Sequence, residues 1–507
     1  MVYFQSMKNT LFVISSLILV HVATSLPARG IDVPSGPPLP PSQTQVAIVG
    51  AGLSGLATAY GLKKAGIQYV ILEINPKVGG RVQTMHYHLP GGEVRADYGM
   101  EEYWESNPAV ALLNELRLPV SSDVAVSSLV LGGKLTTLGD EDPVTYQKRI
   151  LSEAEFKRLE DFKTKNVAPL LAKLDALTAH KSIQNDPELA KLVKLSFADW
   201  VTRTLKITGH LADWIRVSIE CEIATSWKQV SVLDGIAEFR IFLGKGEKSY
   251  RVIGGNERFT DALADAVGRE HIFTSKRVTR IEDQGIKGAH RVRISYWDAA
   301  SSHTRVIEAA HVVTTIPLFR LFEVQFVPAL SPQRQKAIDT MTWGSYFKAH
   351  IFVPPSAARF WTKNGQSYLP ILSDSNLGVI YDGNPDTPDH KDPIKVVSLL
   401  VHGDAAERFN LSSLDEVRKE ITLGLENFWP GFSKEIHEMY FYRYHPRAVG
   451  SWPVGRSRFD SLSELMRKPE GAIHFSGDFT EGSHSDGAFH SATRAVRDIL
   501  ESLKLKK

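Results

Sequence analysis

Residues 45–84 read QVAIVGAGLSGLATAYGLKKAGIQYVILEINPKVGGRVQT, and they carry the clearest structural pattern in the chain. The apolar run at 46–49 predicts a buried strand of a parallel sheet. After the glycine-rich turn at 50–55, apolar residues recur at helical spacing up to Leu62. A second apolar run at 69–72 predicts another strand. The segment therefore predicts a strand–helix–strand unit.

The glycines of this unit, and the carboxylate that follows it, predict a dinucleotide site. Gly50 allows a tight turn, Gly52 lets the backbone approach a pyrophosphate, and Gly55 lets the helix pack close to the sheet. The free N–H groups of the first helical turn, which includes Ser54, attract the anion. Glu73, at the end of the second strand, can accept a hydrogen bond from a ribose hydroxyl. An ordinary glycine-rich turn would not require these flanking elements.

Composition describes an ordinary globular chain. The 507 residues are 43% hydrophobic and 23% charged, and this length predicts two domains. Net charge is +2, and basic residues are concentrated only at 504–507, so we expect no nucleic-acid partner. The 17 histidines show no metal-ligand spacing, and no metal is expected.

The N-terminus has the pattern of an exported protein. Residues 1–6 resemble the remnant of a cleavable tag, and residues 7–28 are predicted to be a signal peptide. Lys8 precedes an apolar run at 11–22, which is too short to span a bilayer. A proline-rich linker is predicted at 29–43. No other segment reaches spanning length, so the expected location is secreted or periplasmic.

Cys221 is the only cysteine, so no intramolecular disulfide can form. This composition suits a bacterial periplasm better than a disulfide-rich eukaryotic secretory protein, although it does not exclude the latter. Asn410 opens an Asn-Leu-Ser sequon, which matters only in a eukaryotic host.

A second motif follows Glu73, where Gly79, Gly80 and Arg81 come after a short loop. In this pairing the chain resembles the flavin amine oxidase superfamily, which includes monoamine oxidases, polyamine oxidases and L-amino-acid oxidases. The resemblance implies FAD as cofactor, with Glu73 on the adenosine ribose and with Gly80 and Arg81 along the pyrophosphate and flavin. A planar guanidinium suits a position beside a diphosphate.

The family also implies a discontinuous α/β architecture: a Rossmann-like FAD domain and an α+β substrate domain with a helical section. Helical spacing dominates 108–244, and strand-like runs recur after it. The FAD domain is predicted at 44–107, 245–318 and 446–503. The substrate domain is predicted at 108–244 and 319–445.

Further flavin contacts follow from the same resemblance. Val278 would pass the adenine. Gly477 and Asp478 stand where the family usually has Gly-Glu, so the carboxylate meeting the ribityl chain is one methylene shorter. Gly487 and Ala488 open the last helix, whose N-terminal N–H groups would face the flavin pyrimidine oxygen and stabilise the anionic reduced flavin. A plain helix start is the alternative.

Lys348 is the predicted catalytic residue. It lies in the apolar segment WGSYFK at 343–348, which resembles the family segment whose lysine holds a water beside flavin N5. The apolar surroundings fit a buried lysine. The alternative is a strand lysine that extends to solvent.

The aromatic cage of monoamine oxidases is not intact in this sequence. His484 and Ala448 align with its two tyrosines, and Trp452 is the candidate for one wall of the cavity. A covalent flavin would need a cysteine just before Ala448, where Arg447 stands. FAD is therefore expected to bind non-covalently.

An acidic segment points to a cationic substrate. Related amino-acid oxidases carry an arginine that grips the substrate carboxylate, and Glu102 falls at that position. Glu101, Glu102 and Glu105 would repel a carboxylate and attract an ammonium if they face the cavity. Otherwise they cap the next helix or face solvent.

The predicted function is FAD-dependent oxidative deamination of a primary amine or polyamine. The resemblance implies hydride transfer to flavin N5, hydrolysis of the imine to a carbonyl product, and reoxidation by O2 to H2O2. The first alternative is an L-amino-acid oxidase that uses Arg258 or Arg443 for the carboxylate. The others are a flavin-binding protein without oxidase turnover, and a desaturase or porphyrinogen oxidase. The partners expected are a small amine and O2, and the oligomeric state is left open, with a homodimer among the options.

Overall fold

A computed structural model describes residues 38–89, 92–123, 127–139, 141–177, 183–244, 246–285, 291–385, 391–443 and 447–503. The predicted tag remnant, the predicted signal peptide and positions 29–37 of the linker lie outside the described residues, as does the basic end at 504–507.

The helices of the described chain mostly begin at Ser, Asp or Asn caps or at Pro in the first turn. The α-helices are Leu53–Lys64, Pro108–Glu115, Pro143–Ile150, Glu153–Asp161, Ala168–Asp175, Pro187–Leu192, Phe197–Asp199, His210–Ile223, Val232–Glu238, Glu257–Val267, Pro332–Asp339, Gly403–Leu411, Leu414–Phe428, Ser461–Arg467, Asp478–Glu481 and Ser485–Ser502. The π-helical turns are Phe162–Val167 and Trp200–Thr204, and the 3-10 turns are Ile183–Asn185, Phe239–Phe242, Arg269–His271, Leu318–Glu323, Pro355–Phe360 and Phe432–Glu435.

Two large sheets organise the described chain. The first contains the strands Ile272–Phe273, Tyr69–Leu72, Gln43–Val49, His303–Thr314, Val292–Asp298, Lys276–Asp283 and Gln325–Val327 in that order, with Ile473–Phe475 paired to His303–Thr314. The second has the order Glu438–Tyr442, Tyr346–Val353, Lys395–His402, Val379–Asp382, Ile371–Ser373, Ser128–Leu131 and Lys134–Thr136. The shorter pairings join Thr84–Leu89 to Gly92–Asp97, Thr342–Gly344 to Val449–Ser451, Thr362–Lys363 to Gln366–Ser367, and Tyr103–Trp104 and Val120–Asp123 to Ser249–Val252.

The first sheet has a parallel centre that is covered on both faces. Ile48 pairs with Ile71 on one side and with Val313 on the other. These three residues pack with helices Leu53–Lys64 and Ser485–Ser502. The alternate residues of the same strands face a second buried cluster on the opposite side. Burial on both faces explains why the strand at 46–49 is uniformly apolar, and the predicted strand–helix–strand unit is confirmed.

The second sheet contains the strand that carries Lys348, next to its edge strand Glu438–Tyr442. Tyr346–Val353 pairs antiparallel with Lys395–His402 and with Glu438–Tyr442. Helices Gly403–Leu411 and Leu414–Phe428 bury their apolar sides against this sheet. The chain therefore has the predicted α/β class, with a Rossmann-like sheet beside a mixed α and β section.

The stretch at 108–244 differs from its predicted helical content. It includes the strands Val120–Asp123, Ser128–Leu131 and Lys134–Thr136, and the last two join the second sheet. Gly132 and Gly133 both have positive φ and form the two-residue turn between those strands. Helical spacing elsewhere in the stretch concealed this local hairpin signal.

A smaller difference concerns the boundary of a predicted segment. Gln325–Val327 pairs with Lys276–Asp283 in the first sheet, although 319–445 was predicted to be substrate domain. Asp478, which was predicted to meet the ribityl chain, begins the short helix Asp478–Glu481. Among the described residues, no helix combines the length and apolarity that a membrane crossing requires.

Candidate functional site

A cavity of about 650 Å3 runs from the first sheet to the helical section. Its walls come from the glycine-rich turn, from residues near 100, 222 and 238, from the strand Tyr346–Val353 and from the start of the last helix. Most of the predicted site residues therefore line a single cavity, and the exceptions are Gly55, Glu105, Trp452 and Gly487.

The glycine-rich turn shapes one end of the cavity. Gly50 has φ +109°, and a Cβ on Gly55 would lie 1.9 Å from the Gly50 carbonyl oxygen. Only glycine permits this close packing of helix and strand. A Cβ on Gly52 would meet Gly80 Cα at 3.9 Å and no closer atom, so the backbone there is open to the cavity. This space suits a phosphate group beside the turn.

The first helix directs its N-terminus at the same space. It begins after Gly52 without a side-chain cap, and its first turn contains no acidic residue. Its first N–H groups therefore attract an anion. Ser54 lines the cavity, and its Oγ hydrogen-bonds Ser476 Oγ at 2.5 Å. Gly477 N donates to Ser491 Oγ at 2.8 Å. Hydroxyl groups thus join the first helix to the last section of the chain.

Glu73 is buried at the end of its strand and lines the cavity. Its carboxylate accepts hydrogen bonds from Ala51 N at 2.6 Å and from Asn75 N at 2.8 Å. A carboxylate has about four acceptor positions, so it can still accept a ribose hydroxyl. Val278 lines the same end. These positions agree with a dinucleotide whose adenosine lies across the strand ends.

Arg81 and Asp478 face each other across the cavity. The guanidinium donates to both carboxylate oxygens, at 2.5 and 2.9 Å, and to the Ala448 carbonyl at 2.6 Å. Burial lowers the pKa of Arg81, but the charge of Asp478 and its hydrogen bonds raise that pKa overall. Gly477, with φ +144°, sets the turn before the carboxylate.

The last helix begins beside this pair. His484 is its N-cap residue and makes no side-chain cap. Ala488 lines the cavity, and Gly487 lies behind it, where a Cβ would come within 2.1 Å of the Gly482 carbonyl oxygen. The open glycine backbone, two helix N-termini and Glu73 together fit FAD.

Lys348 lies on the strand Tyr346–Val353 of the second sheet and lines the cavity. Its side chain is 2% exposed and forms an ion pair with Glu101, whose side chain is 4% exposed. The Nζ atom also lies 3.4 Å from the Gly99 carbonyl oxygen. The ammonium is therefore directed inward and does not extend to solvent.

Two further buried groups surround the ion pair. Burial, followed by the charge of Glu101, raises the pKa of Asp97 to about 7. Burial and the charge of Lys348 lower the pKa of His350 to about 3. A neutral His350 donates from Nε2 to the Asp97 carbonyl at 2.9 Å and accepts at Nδ1 from Tyr87, 2.7 Å away.

The predicted acidic segment divides into cavity and surface residues. Glu102 lines the cavity and accepts a hydrogen bond from the Tyr381 hydroxyl at 3.1 Å. Glu105 is exposed and does not line the cavity. Trp452 is 1% exposed but packs in a core cluster, where its indole N–H donates to Ser463 Oγ at 2.8 Å. We therefore leave Glu105 and Trp452 out of the proposed site.

A cluster around His484 contains residues that sequence reasoning missed. His484 Nε2 lies 3.0 Å from Glu238 Oε2 and 3.8 Å from Glu222 Oε2. Arg458 forms ion pairs with Asp234, at 3.0 Å, and with Glu238. His484, Glu222, Glu238 and Arg458 all line the cavity.

The charges of this cluster are strongly coupled. Burial would lower the pKa of His484, but the charges of Glu238 and Glu222 raise it to about 9. Burial is the main reason that the pKa of Glu222 is raised. The Oδ1 atom of Asp486, which also lines the cavity, is buried without a hydrogen-bond partner among the described residues.

One local signal in the sequence could have revealed two of these acids. Glu222 and Glu238 lie in the last turns of His210–Ile223 and Val232–Glu238. A negative charge at a helix C-terminus opposes the helix dipole. Such a local conflict in two successive helices is a reason to suspect a functional role.

Comparisons with known proteins agree with this arrangement. A sequence model described as "Flavin containing amine oxidoreductase" matches residues 53–500. A probable flavin-containing monoamine oxidase A of Dictyostelium discoideum is 24% identical, covering 90% of this chain and 98% of that protein. An L-amino-acid oxidase of Bothrops atrox is 22% identical, covering 91% and 90%.

Solved structures show the same fold. A putrescine oxidase bound to putrescine matches with a TM-score of 0.73 at 22% identity, covering 90% of this chain and 99% of that one. A cyclohexylamine oxidase from Brevibacterium oxydans also matches with a TM-score of 0.73, at 21% identity, covering 91% and 100%.

Proposed function

The chain belongs to the flavin containing amine oxidoreductase family, and we propose that it deaminates a cationic primary amine or polyamine. Family membership makes it an FAD-dependent amine oxidase, so the proposal concerns the substrate and the products. The amine would lose two electrons and two protons to O2, giving an imine and H2O2. Water would then hydrolyse the imine to a carbonyl compound and ammonia or a smaller amine.

Bound FAD supplies the redox chemistry, while the protein orients both reactants and sets the local charge. Gly52, Glu73 and Arg81 would hold the dinucleotide. Lys348 would hold a proton-donating ammonium in the wall of the cavity. The N-terminus of Ser485–Ser502 would favour negative charge near it.

The observation that carries the proposal is the excess of acid around His484. Two cations, His484 and Arg458, are surrounded by the carboxylates of Asp234, Glu222, Glu238 and Asp486. The raised pKa of Glu222 is the electrostatic consequence of burial without enough positive charge. An ammonium entering the cavity would supply the missing charge, whereas a carboxylate would meet repulsion.

An L-amino-acid oxidase is the competing function, since relatives of that name match the chain. The two arginines predicted for a substrate carboxylate do not line the cavity. Arg258 donates to the Ile253 carbonyl at 2.6 Å, and Arg443 donates to the Ser412 carbonyl. Arg458 lines the cavity, but its guanidinium already binds Asp234 and Glu238. Other arginines also line the cavity, so it is the excess of acid around His484 that favours an amine.

The test is a peroxide-release screen on matched pairs: phenylethylamine with phenylalanine, 1,4-diaminobutane with ornithine, and 1,5-diaminopentane with lysine. We expect peroxide from at least one amine and none from its amino acid. Addition of catalase should abolish the signal. Turnover of the amino acids alone would instead establish the L-amino-acid oxidase function.

A further inference from the structure

The ion pair between Glu101 and Lys348 is isolated from solvent. Lys348 comes from the strand Tyr346–Val353, and Glu101 precedes the strand Tyr103–Trp104. Both residues line the cavity, with side chains 2% and 4% exposed. A charge at this burial is strongly unfavourable unless it is paired. Each side chain therefore supplies the opposite charge that the other needs at this depth.

Other contacts fix the direction of the pair. Ser398 Oγ donates to Glu101 Oε1 at 3.0 Å, which orients the carboxylate from the neighbouring strand. An ammonium has three N–H groups. Among the described residues, Glu101 and the Gly99 carbonyl account for two of them. One N–H is then left for a water or ligand in the cavity.

We propose that Glu101 is a positioning residue, which holds the Lys348 ammonium charged and directed at the cavity instead of binding the substrate itself. The inference deepens the proposed function, since it rests on FAD occupying that cavity, but it does not depend on which amine is oxidised. Glu101 was predicted, together with Glu102 and Glu105, to contact the substrate, and the proposal gives it a different role.

The groups facing the pair are Asp97, His350 and Tyr381. His350 is neutral, and burial raises the pKa of Tyr381 well above its usual value. Asp97, with a pKa of about 7, titrates near neutrality in the parent protein as well. Any additional titration that arises on loss of Glu101 must therefore be distinguished from that of Asp97.

The test compares the midpoint potential of bound FAD in the parent protein and in Glu101→Gln, between about pH 6 and pH 9. At low pH the variant has an unpaired ammonium beside the flavin, which favours the more negative reduced form and raises the potential. At higher pH the unpaired ammonium loses its proton, and the difference should shrink. Oxidation of the chemically reduced enzyme by O2 should slow about tenfold, which is the lower end of the loss seen when the hydrogen-bonded partner of a metal ligand is removed.

Three variants separate positioning from a structural role. Glu105→Gln changes an exposed acid outside the cavity and should leave the potential and its pH dependence unchanged. Glu101→Asp should restore part of the parent behaviour. Glu101→Gln in a Lys348→Met background should behave like Lys348→Met alone, because Glu101 acts through the lysine.

A pH-independent potential difference in Glu101→Gln, or a further loss of rate in the double variant, would overturn the proposal. If Glu101→Gln fails to fold, the double variant, which has neither buried charge, still gives the comparison with Lys348→Met. Neither the potential nor the O2 reaction requires an amine substrate. Failure of the proposed function would leave both measurements interpretable.

Discussion

Arg81 and Asp478 stand 397 positions apart in the chain and form a two-point ion pair across the cofactor cavity. Arg81 follows the glycine-rich unit, and Asp478 precedes the last helix. The pair therefore closes the cavity between the first and last sections of the FAD-binding fold. Its guanidinium also holds the Ala448 carbonyl at 2.6 Å, so three segments meet at one side chain.

Breaking this pair should weaken FAD binding. Asp478→Asn leaves the Arg81 guanidinium, whose side chain is 35% exposed, without its charged partner, which costs about 2 kcal/mol. We expect the FAD dissociation constant to rise at least tenfold, measured by fluorescence titration of the apoprotein. Arg95→Ala, which removes an exposed arginine paired with Glu93, is the control and should bind FAD normally. Unchanged FAD affinity in Asp478→Asn would remove the pair from the site.

Glu222 should control the affinity for cationic amines. Glu222→Gln removes a buried carboxylate that lines the cavity, and the KM for an ammonium substrate should rise about tenfold, or 1.4 kcal/mol. The maximal rate should change much less. Steady-state peroxide release measures both values, and Glu105→Gln serves as the matched acidic control. A KM equal to that of the parent enzyme would show that the substrate does not approach Glu222.

His484 should make folding stability depend on pH. Its folded pKa of about 9 exceeds the unfolded value of 6.5, so its stabilising contribution is complete below pH 6.5 and is lost as pH rises through 9. The contribution is at most about 3 kcal/mol at low pH. Thermal melts should show the parent protein losing stability over this range. In His484→Gln the decline should be shallower, and an identical decline would contradict the assignment.

Catalytic rate should change with pH in the opposite direction. The substrate amine must be neutral when its carbon–nitrogen bond is oxidised, and the neutral fraction rises about tenfold per pH unit below the amine pKa. Activity at fixed, low amine concentration should therefore increase from neutral to mildly alkaline pH. Measuring kcat/KM in the parent and in His484→Gln separates amine ionisation from that of the imidazole. A steady decrease in both proteins would exclude this requirement.

The parts predicted from sequence are those encoded locally. Gly50 and Gly55 belong to the same short turn, and the close approach of Gly55 to the Gly50 carbonyl requires the absence of a Cβ. Glu73 directly follows a short apolar run, which predicts its place at the end of a strand. Lys348 lies within another apolar run, which predicts its place in a sheet. The hairpin at Gly132 and Gly133 was equally local, but the surrounding helical spacing obscured it.

The remaining site residues come together only through tertiary packing. Glu222, Glu238 and His484 lie on three helices or caps distant in sequence, and no spacing rule brings them to one point. Glu101 was predicted to meet the substrate, yet it faces Lys348 because the second sheet places that strand beside it. A large apolar side chain such as Trp452 could either line a cavity or belong to the core. In the folded chain it packs in the core.

The predicted dinucleotide site is built from residues near both ends of the described chain. The first sheet begins with Gln43–Val49 and is completed by the strand Ile473–Phe475. The hydroxyl contact of Ser54 is completed by Ser476, which precedes the helix Ser485–Ser502. A nascent chain that has not yet reached Ile473 lacks these parts. Cofactor capture must therefore follow synthesis of this last section, and truncation before Ile473 would produce a colourless protein.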